Sequence, residues 1–105
     1  MMPLSILGDP MILEELLRDP VIVNPVRLAI LLYLFHRNWV LVSELVKVLE
    51  VTPGNLDSHL RTLKKEELVE MKRVFRERPR VMVRITDKGV ERTRNLLKLL
   101  REFSF

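Results

Sequence analysis

The chain of 105 residues contains no cysteine and no glutamine, and it has only two histidines and three glycines. Without cysteine it forms no disulfide, no thiolate metal site and no thiol nucleophile. The missing glutamine, beside many glutamate, lysine and arginine residues, is typical of thermophilic proteins. Gly8, Gly54 and Gly89 are isolated, so they form no phosphate-binding loop, and no carboxylates cluster with a histidine. The composition therefore favours neither an enzyme nor a cofactor or metal site.

The chain also lacks an apolar run long enough to span a membrane. The most apolar run, residues 28–35, has eight residues, whereas a membrane helix needs about 20. The first ten residues have neither the basic start nor the small-residue cleavage site of a signal peptide. We therefore expect a cytoplasmic protein, and the length suits one domain with a modest core.

Basic residues are concentrated in one part of the chain. The formal net charge is +4, but Arg61 to Arg84 alone contains nine basic and four acidic residues, a net charge of +5. The remainder is slightly acidic. Because neutralising phosphates releases counterions and so supplies much of the affinity for DNA, this segment is the candidate contact with an anionic polymer.

Start and stop signals predict five helices and a hairpin. Three capping residues are each followed directly by a proline; they are Asp9, Asn24 and Thr52. Ser43 and Thr86 open two further helices. The predicted helices cover 10–19, 26–35, 43–49, 53–65 and 87–103, and the predicted strands cover 39–41, 68–75 and 81–85. The second helix is apolar almost all round and should be central. Residues 21–23 should be a short extended connection.

The two longer strands alternate apolar and polar residues, which is typical of a half-buried hairpin. Between them, Arg76 to Arg80 should form a basic loop, since Pro79 has no N–H to donate inside a ladder. Two of its arginines, Arg78 and Arg80, are long enough to enter a minor groove. A merely solvated hairpin is the alternative interpretation.

The fourth helix has one apolar stripe. Leu56, Leu60 and Leu63 recur at i, i+4 and i+7 and should face the core. The other side carries asparagine, arginine, serine and threonine, which contact base edges or phosphates. Asp57 opposes this interpretation, because its carboxylate repels phosphate, although it could accept a hydrogen bond from a cytosine amino group. An ordinary amphipathic helix with a solvated face is the alternative.

These two patterns together give a set of predicted DNA contacts. In the fourth helix they are Thr52, Gly54, Asn55, Ser58, Arg61, Thr62, Lys64 and Lys65, and in the hairpin they are Lys72, Arg76, Arg78 and Arg80.

The last helix has two apolar stripes, one through Val90, Leu97 and Leu100 and one through Leu96, Leu99 and Phe103. A helix that packs on one small core needs only one stripe, so the second suggests a partner copy. The first helix is also richer in apolar residues than a surface helix requires. The predicted homodimer interface contains Ile12, Leu13, Leu16, Leu96, Leu99, Leu100 and Phe103. Alternatively, both helices simply cover the core of their own chain.

Three stretches carry a resemblance to a known family. They are NPVRL at 24–28, the segment 45–69 with its LDSHLRTLKKEELVE core, and ITDKG at 85–89 after the basic hairpin. Residues 24–100 thus resemble the winged helix-turn-helix regulators, in particular small archaeal and bacterial relatives of the ArsR and MarR repressors. The resemblance implies a recognition helix at 53–65, a wing at 76–80, and homodimers on palindromic operators. Relatives often have serine where this chain has Asp57, and the cysteines of metal sensors are absent, so the resemblance does not imply metal control.

We therefore expect an α+β winged helix-turn-helix domain, with a three-helix core, a β-hairpin wing and extra terminal helices. Residues 1–105 should form one domain, with an N-terminal arm and helix at 1–23, the core at 24–85 and a dimerisation helix at 86–105. The expected function is sequence-specific binding of double-stranded DNA by a homodimer that regulates transcription, without a cofactor. The alternative is a winged-helix module that binds another protein and has no specific DNA site.

Overall fold

The computed structural model describes residue 14 and residues 17–102. The elements are helices α1 (Pro20–Val23), α2 (Pro25–Leu34), α3 (Val42–Leu49), α4 (Pro53–Lys65) and α5 (Asp87–Arg101), and strands β1 (Val40–Leu41), β2 (Val69–Phe75) and β3 (Pro79–Ile85). The strands form one antiparallel sheet in the order β1-β3-β2. This confirms the expected α+β architecture. Most of the helix predicted at 10–19 lies outside the described residues.

The extended connection expected at 21–23 is wrong, because these residues form α1. Asp19 precedes Pro20, and its side chain accepts a hydrogen bond from the backbone N–H of Ile22 at 3.5 Å. This is the same combination of a capping residue and a proline that begins α2 and α4, so Pro20 starts a helix. The short helix matters for packing because Ile22 is buried in the core.

Helix α2 is central, as predicted. The Asn24 side chain accepts hydrogen bonds from the backbone N–H groups of Val26 and Arg27, at 3.0 and 3.1 Å, and so caps the helix. Ile30, Leu31 and Leu34 are completely buried. α2 packs against α1, α3, α4, α5 and β3, so it contacts each of the four other helices named above.

Helices α3 and α4 form the helix-turn-helix pair. α3 begins at Val42 directly after β1 and has no side-chain cap, so the start predicted at Ser43 is one residue late. Between the two helices Glu50 has φ 52° and ψ 42°, the left-handed conformation that glycine often supplies in such turns. The turn is therefore made without glycine.

The hairpin loop is shorter than predicted. β2 and β3 pair along their whole length, from Val69 opposite Ile85 to Phe75 opposite Pro79. The loop contains only residues 76–78, and the placement of Pro79 and Arg80 in the loop is wrong. Proline is tolerated here because it is the first residue of its strand. We call the hairpin formed by β2, residues 76–78 and β3 the wing.

The end of α4 is locked to the start of β2. The backbone N–H of Glu67 donates to the carbonyl of Lys64 (2.9 Å) and that of Leu68 to the carbonyl of Leu63 (2.9 Å). Glu67 is left-handed, with φ 62°. This is a Schellman motif, and its usual hydrophobic contact is available because Leu63 and Leu68 are both completely buried.

The start of α5 packs onto this same turn. The Thr86 hydroxyl donates to the carbonyl of Glu67 (2.7 Å) and accepts from the backbone N–H of Gly89 (3.0 Å). The backbone N–H of Thr86 donates to the carbonyl of Leu68 at 3.0 Å. A Cβ added at Gly89 would overlap that carbonyl oxygen and lie 2.7 Å from Cγ1 of Ile85. We call this junction, formed by residues 66–68 and 86–89, the α4–α5 joint.

The side of α5 that faces the core coincides with neither of the two predicted apolar stripes. Gly89, Thr93 and Leu96, at i, i+4 and i+7, are buried, whereas Leu100 is 41% exposed. Leu96 belongs to the core of this chain, so its assignment to a stripe in need of a partner is wrong. Sequence analysis missed this stripe because glycine and threonine are not apolar signals. Phe103 lies outside the described residues.

Across residues 17–102 no helix combines the length and apolar character that crossing a membrane requires.

Candidate nucleic-acid interface

Helix α4 presents a polar side to solvent because three leucines hold its other side. Leu56, Leu60 and Leu63 are at most 1% exposed, as the periodicity predicts. The Thr52 hydroxyl accepts a hydrogen bond from the backbone N–H of Asn55 at 3.1 Å and so fixes the first turn. The exposed residues of the helix and its cap are Thr52, Pro53, Gly54, Asn55, Asp57, Ser58, Arg61, Lys64 and Lys65.

Asp57 does not stand alone on this surface. Its carboxylate forms an ion pair with Arg61 one turn later, with 2.8 Å between Oδ2 and Nε. Both side chains are exposed, so the pair stabilises the helix by only about 0.3–0.5 kcal/mol. The repulsion of phosphate expected from Asp57 is thus offset by its neighbour, and the two Nη groups of Arg61 stay available to a ligand.

Gly54 lies in open space at the start of α4. A Cβ added there would meet no atom within 4 Å. Within a helix, glycine lowers stability by about 0.5–1 kcal/mol relative to alanine. Since there is room for a side chain here, packing does not explain why the residue is glycine. Its small size instead allows a ligand to approach the backbone of the first turn.

Thr62 and the two lysines at the end of α4 also have roles within the chain. Thr62 is half-buried, and its hydroxyl donates to the carbonyl of Ser58 at 3.3 Å. Lys64 and Lys65 occupy the last turn, where positive charge interacts favourably with the helix dipole. These three residues therefore offer less to a ligand than Asn55, Ser58 and Arg61.

His59 ties α4 to the first two helices. Its Nδ1 lies 3.2 Å from Nη1 of Arg27, whose Nε donates to the carbonyl of Val21 at 2.6 Å. Because arginine only donates, Nδ1 accepts and the ring is neutral. Burial, together with the positive charge of Arg27, lowers the pKa of His59. His59 is therefore a hydrogen-bonded, partly buried residue that links α4 to the helices beside it.

Part of the basic wing faces the start of α4 across a groove of about 610 Å³. Arg78 and Arg80 of the wing, Ser43 and Lys47 of α3, and Pro53 of α4 all line this groove. Arg76, Arg78 and Arg80 are all exposed. The structure thus brings two predicted wing residues near the first turns of both helices of the helix-turn-helix pair.

Lys72 lies on the face of the sheet that points away from the core. It is opposite Met82 in the β-ladder, next to the pair formed by Met71 and buried Val83, so its side chain points away from the core. The Lys72 ammonium lies 4.1 Å from the centre of the Trp39 ring. Lys72 is not among the residues that line the groove with Arg78 and Arg80.

Sequence analysis missed Ser43 and Lys47 as members of the groove. Ser43 was interpreted only as the start of a helix, and Lys47 was not singled out. A signal was available, because the first helix of a helix-turn-helix pair crosses the DNA backbone. The groove also contains the apolar residues Val42, Val46 and Val81, which no pattern of charge would indicate.

The structure offers no site for a metal among the residues it describes. Within residues 14 and 17–102, no three histidine, aspartate or glutamate side chains converge. His36 is exposed, and its ring meets the edge of Phe35 with the ring centres 4.8 Å apart.

Comparison with known families and structures agrees with this geometry. The model of the winged helix DNA-binding domain matches residues 26–104. A transcriptional regulator homologue from Pyrococcus horikoshii OT3 is 42% identical, over 87% of this chain and 91% of that one, with a TM-score of 0.83. HlyU from Vibrio cholerae N16961 is 25% identical, over 92% and 96% of the two chains, with a TM-score of 0.60.

A MarR-family regulator from Porphyromonas gingivalis W83 has a similar fold, with a TM-score of 0.68 at 18% identity, over 80% of this chain and 82% of that one. The curated proteins include no match.

Proposed function

Because this chain belongs to the winged helix DNA-binding domain family, we propose that it binds specific sites on double-stranded DNA as a homodimer and regulates transcription. The resemblance to winged helix-turn-helix regulators that the sequence carries is confirmed by this family match. The single observation that carries the proposal is the exposed polar side of α4 beside a groove lined by Arg78 and Arg80.

Helix α4 has the dimensions and side chains of a recognition helix. Its 13 residues extend about 20 Å at 1.5 Å per residue, and the major groove admits an α-helix. Asn55, Ser58 and Arg61 would contact base edges, and Thr52 and Gly54 would let a phosphate approach the first turn. Lys64 and Lys65 would add attraction to phosphates, with Thr62 as a minor contact.

The wing would supply a second set of contacts. Arg76, Arg78 and Arg80 are exposed, and the structure gives none of them an ion-pair partner within residues 17–102. Free guanidinium groups lose little when they bind phosphate or enter a narrow minor groove. Arg61, by contrast, is held by Asp57 through its Nε and offers its two Nη groups from a fixed position. The wing therefore contributes affinity, and α4 contributes the choice of sequence.

Two copies would join through their terminal helices. Among the described residues, Leu17 is 79% exposed and Leu100 is 41% exposed, so an interface formed here would remove apolar surface from water. A twofold axis between two copies of α5 would present two α4 helices to the two halves of a palindrome. Leu99 is half-buried and lies beside this surface.

Selection of bound genomic fragments, followed by titration at several salt concentrations, tests the proposed function. We expect one palindromic sequence to be enriched and its affinity to fall linearly with the logarithm of salt concentration. Weak binding that shows no sequence preference and no salt dependence would contradict the proposal. That outcome would favour the alternative, a winged-helix module that binds another protein.

Sedimentation of Leu100→Glu tests the dimer. A carboxylate at this exposed position would be buried at the interface, so we expect monomers where the unmodified chain gives dimers. Leu32→Glu is the matched control, since Leu32 has a similar exposure of 43% but belongs to α2 and not to a terminal helix. A Leu100→Glu variant that stays dimeric would place the interface elsewhere.

A further inference from the structure

Strand β3 has an open edge over its first three residues. β2 pairs with all seven residues of β3, whereas β1 pairs only with Met82 and Val83. β1 is this short because the chain turns into α3 at Val42. No strand of residues 17–102 therefore lies beside Pro79–Val81 on the β1 side. A strand edge of this kind presents backbone groups that an added strand can pair with.

Two cavities flank this open edge, one on each face of the sheet. The outer cavity, of about 480 Å³, is lined by Val74 and Met82. The inner cavity is the groove already described, of about 610 Å³, which also contains Val81. Leu41, Arg78 and Arg80 line both, so the cavities meet at the edge. Successive side chains of a strand point to opposite faces, so an added strand would place neighbouring side chains in different cavities.

The charges around the edge select the incoming strand. Arg76, Arg78, Arg80 and Lys47 line the two cavities, and Glu77 is the single acidic residue among the lining side chains. A second copy of β3 would bring arginines against arginines, so the edge is protected from pairing with itself. A strand with acidic residues on both sides of a short apolar centre complements this surface.

We propose that the open edge at Pro79–Val81 binds an acidic, extended peptide segment of a partner protein by strand addition. Backbone hydrogen bonds to β3 supply affinity, and apolar side chains in the two cavities supply specificity. The peptide would occupy the same arginines that the proposed function assigns to DNA, so the two ligands would compete. Only this competition rests on the proposed function; the binding of the peptide does not.

Fluorescence anisotropy with the labelled peptide Glu-Glu-Val-Leu-Val-Glu-Glu tests strand addition. Two control peptides carry N-methyl groups on alternate backbone amides, one in each register, and a third consists of glutamate alone. One register of N-methylation should weaken binding by about fivefold for each hydrogen bond that is lost, because each bond contributes about 1 kcal/mol and 1.4 kcal/mol is a factor of ten. The all-glutamate peptide should also bind at least about tenfold more weakly, since it leaves both cavities without an apolar side chain.

A matched pair of variants locates the site on the protein. Met82→Glu places a carboxylate in the outer cavity and should weaken binding of the Val-Leu-Val peptide, whereas Leu32→Glu adds the same charge on α2 and should not. Equal affinity for both N-methylated peptides and the unmodified peptide would overturn strand addition. Equal affinity for the all-glutamate peptide would overturn the role of the cavities. A protein that binds duplex DNA but none of these peptides would overturn this inference and leave the proposed function intact.

Discussion

The first turns of α4 and α5 are built from the same parts but have opposite surroundings. Each helix follows a threonine, Thr52 or Thr86, whose hydroxyl accepts a hydrogen bond from the backbone N–H three residues later. Each first turn also contains a glycine. Gly54 has open space around it, whereas Gly89 is in contact with the carbonyl group of Leu68. The α4 turn faces solvent, and the α5 turn is packed into the α4–α5 joint.

The difference shows that the same capped first turn can either pack against another segment or leave its backbone accessible. In the α4–α5 joint, the hydroxyl of Thr86 makes a second hydrogen bond, to the carbonyl of Glu67, and the close approach of two segments requires glycine. At the start of α4, the same type of cap leaves the backbone accessible. Changes in the joint should therefore affect stability, and changes at the start of α4 or in the wing should affect binding.

Gly89→Ala should produce the largest effect. The new methyl group overlaps the carbonyl oxygen of Leu68, which is backbone and cannot move alone, so we expect a loss of roughly 3 kcal/mol in the free energy of unfolding. Chemical denaturation measures this loss. A loss under about 0.5 kcal/mol, within the range of ordinary surface substitutions, would mean that the joint can open to admit a side chain.

Arg78→Ala with Arg80→Ala should leave stability nearly unchanged and alter DNA binding. The slope of the logarithm of affinity against the logarithm of salt concentration should fall by up to about two, because each lost phosphate contact contributes about 0.9. DNA titrations at several salt concentrations give the slope. Lys72→Ala is the control, since Lys72 lies outside the groove. An unchanged slope in the double variant would place the wing away from DNA.

Gly54→Ala makes the same chemical change as Gly89→Ala, with the opposite expected sign for stability. Alanine meets no atom within 4 Å and favours the helix, so the free energy of unfolding should rise by up to about 1 kcal/mol. DNA affinity should fall, because the methyl group obstructs the approach of a phosphate. Denaturation and DNA titration of one preparation measure both. Unaltered affinity would remove Gly54 from the interface.

His59 should give the smallest effect, seen as a dependence of stability on pH. Its pKa in the folded chain is below the usual value of 6.5 for histidine, so the unfolded chain binds the proton more readily. The stability that the neutral ring contributes is complete above pH 6.5 and is lost as the pH falls toward the lower pKa of the folded state. The difference between the unmodified chain and His59→Asn, in denaturation at pH 7.5, 6.5 and 5.5, isolates this contribution. A difference that does not vary with pH would contradict it.

Residue patterns predicted where the helices lie better than they predicted what packs against each helix. The leucines of α4 and the caps at Asn24, Thr52 and Thr86 are local signals, and the structure confirms them. Asp19 carried the same signal but was missed, because Pro20 was interpreted only as the end of a preceding helix. Local chemistry indicates where a helix starts, provided that each capping residue is considered in its own right.

Long-range packing could not be predicted from the sequence. Leu96 and Leu100 are both apolar residues of α5, and only the position of α5 against the core decides that the first is buried and the second exposed. Lys72 and Arg80 belong to one basic cluster in the sequence, yet only Arg80 lines the groove near α4. The predicted DNA contacts in α4 and the wing remain predictions that binding experiments must decide.

The attachment of α4 has a consequence for evolution. Three buried leucines hold the helix, and left-handed residues define the turns before and after it. None of the exposed residues Asn55, Ser58 or Arg61 contributes a side chain to this attachment. Substitutions there are nearly neutral for folding, since surface changes usually alter stability by less than about 0.5 kcal/mol. Descendants of one ancestral gene could thus acquire new target sequences through single mutations on this face, without a compensating change in the core.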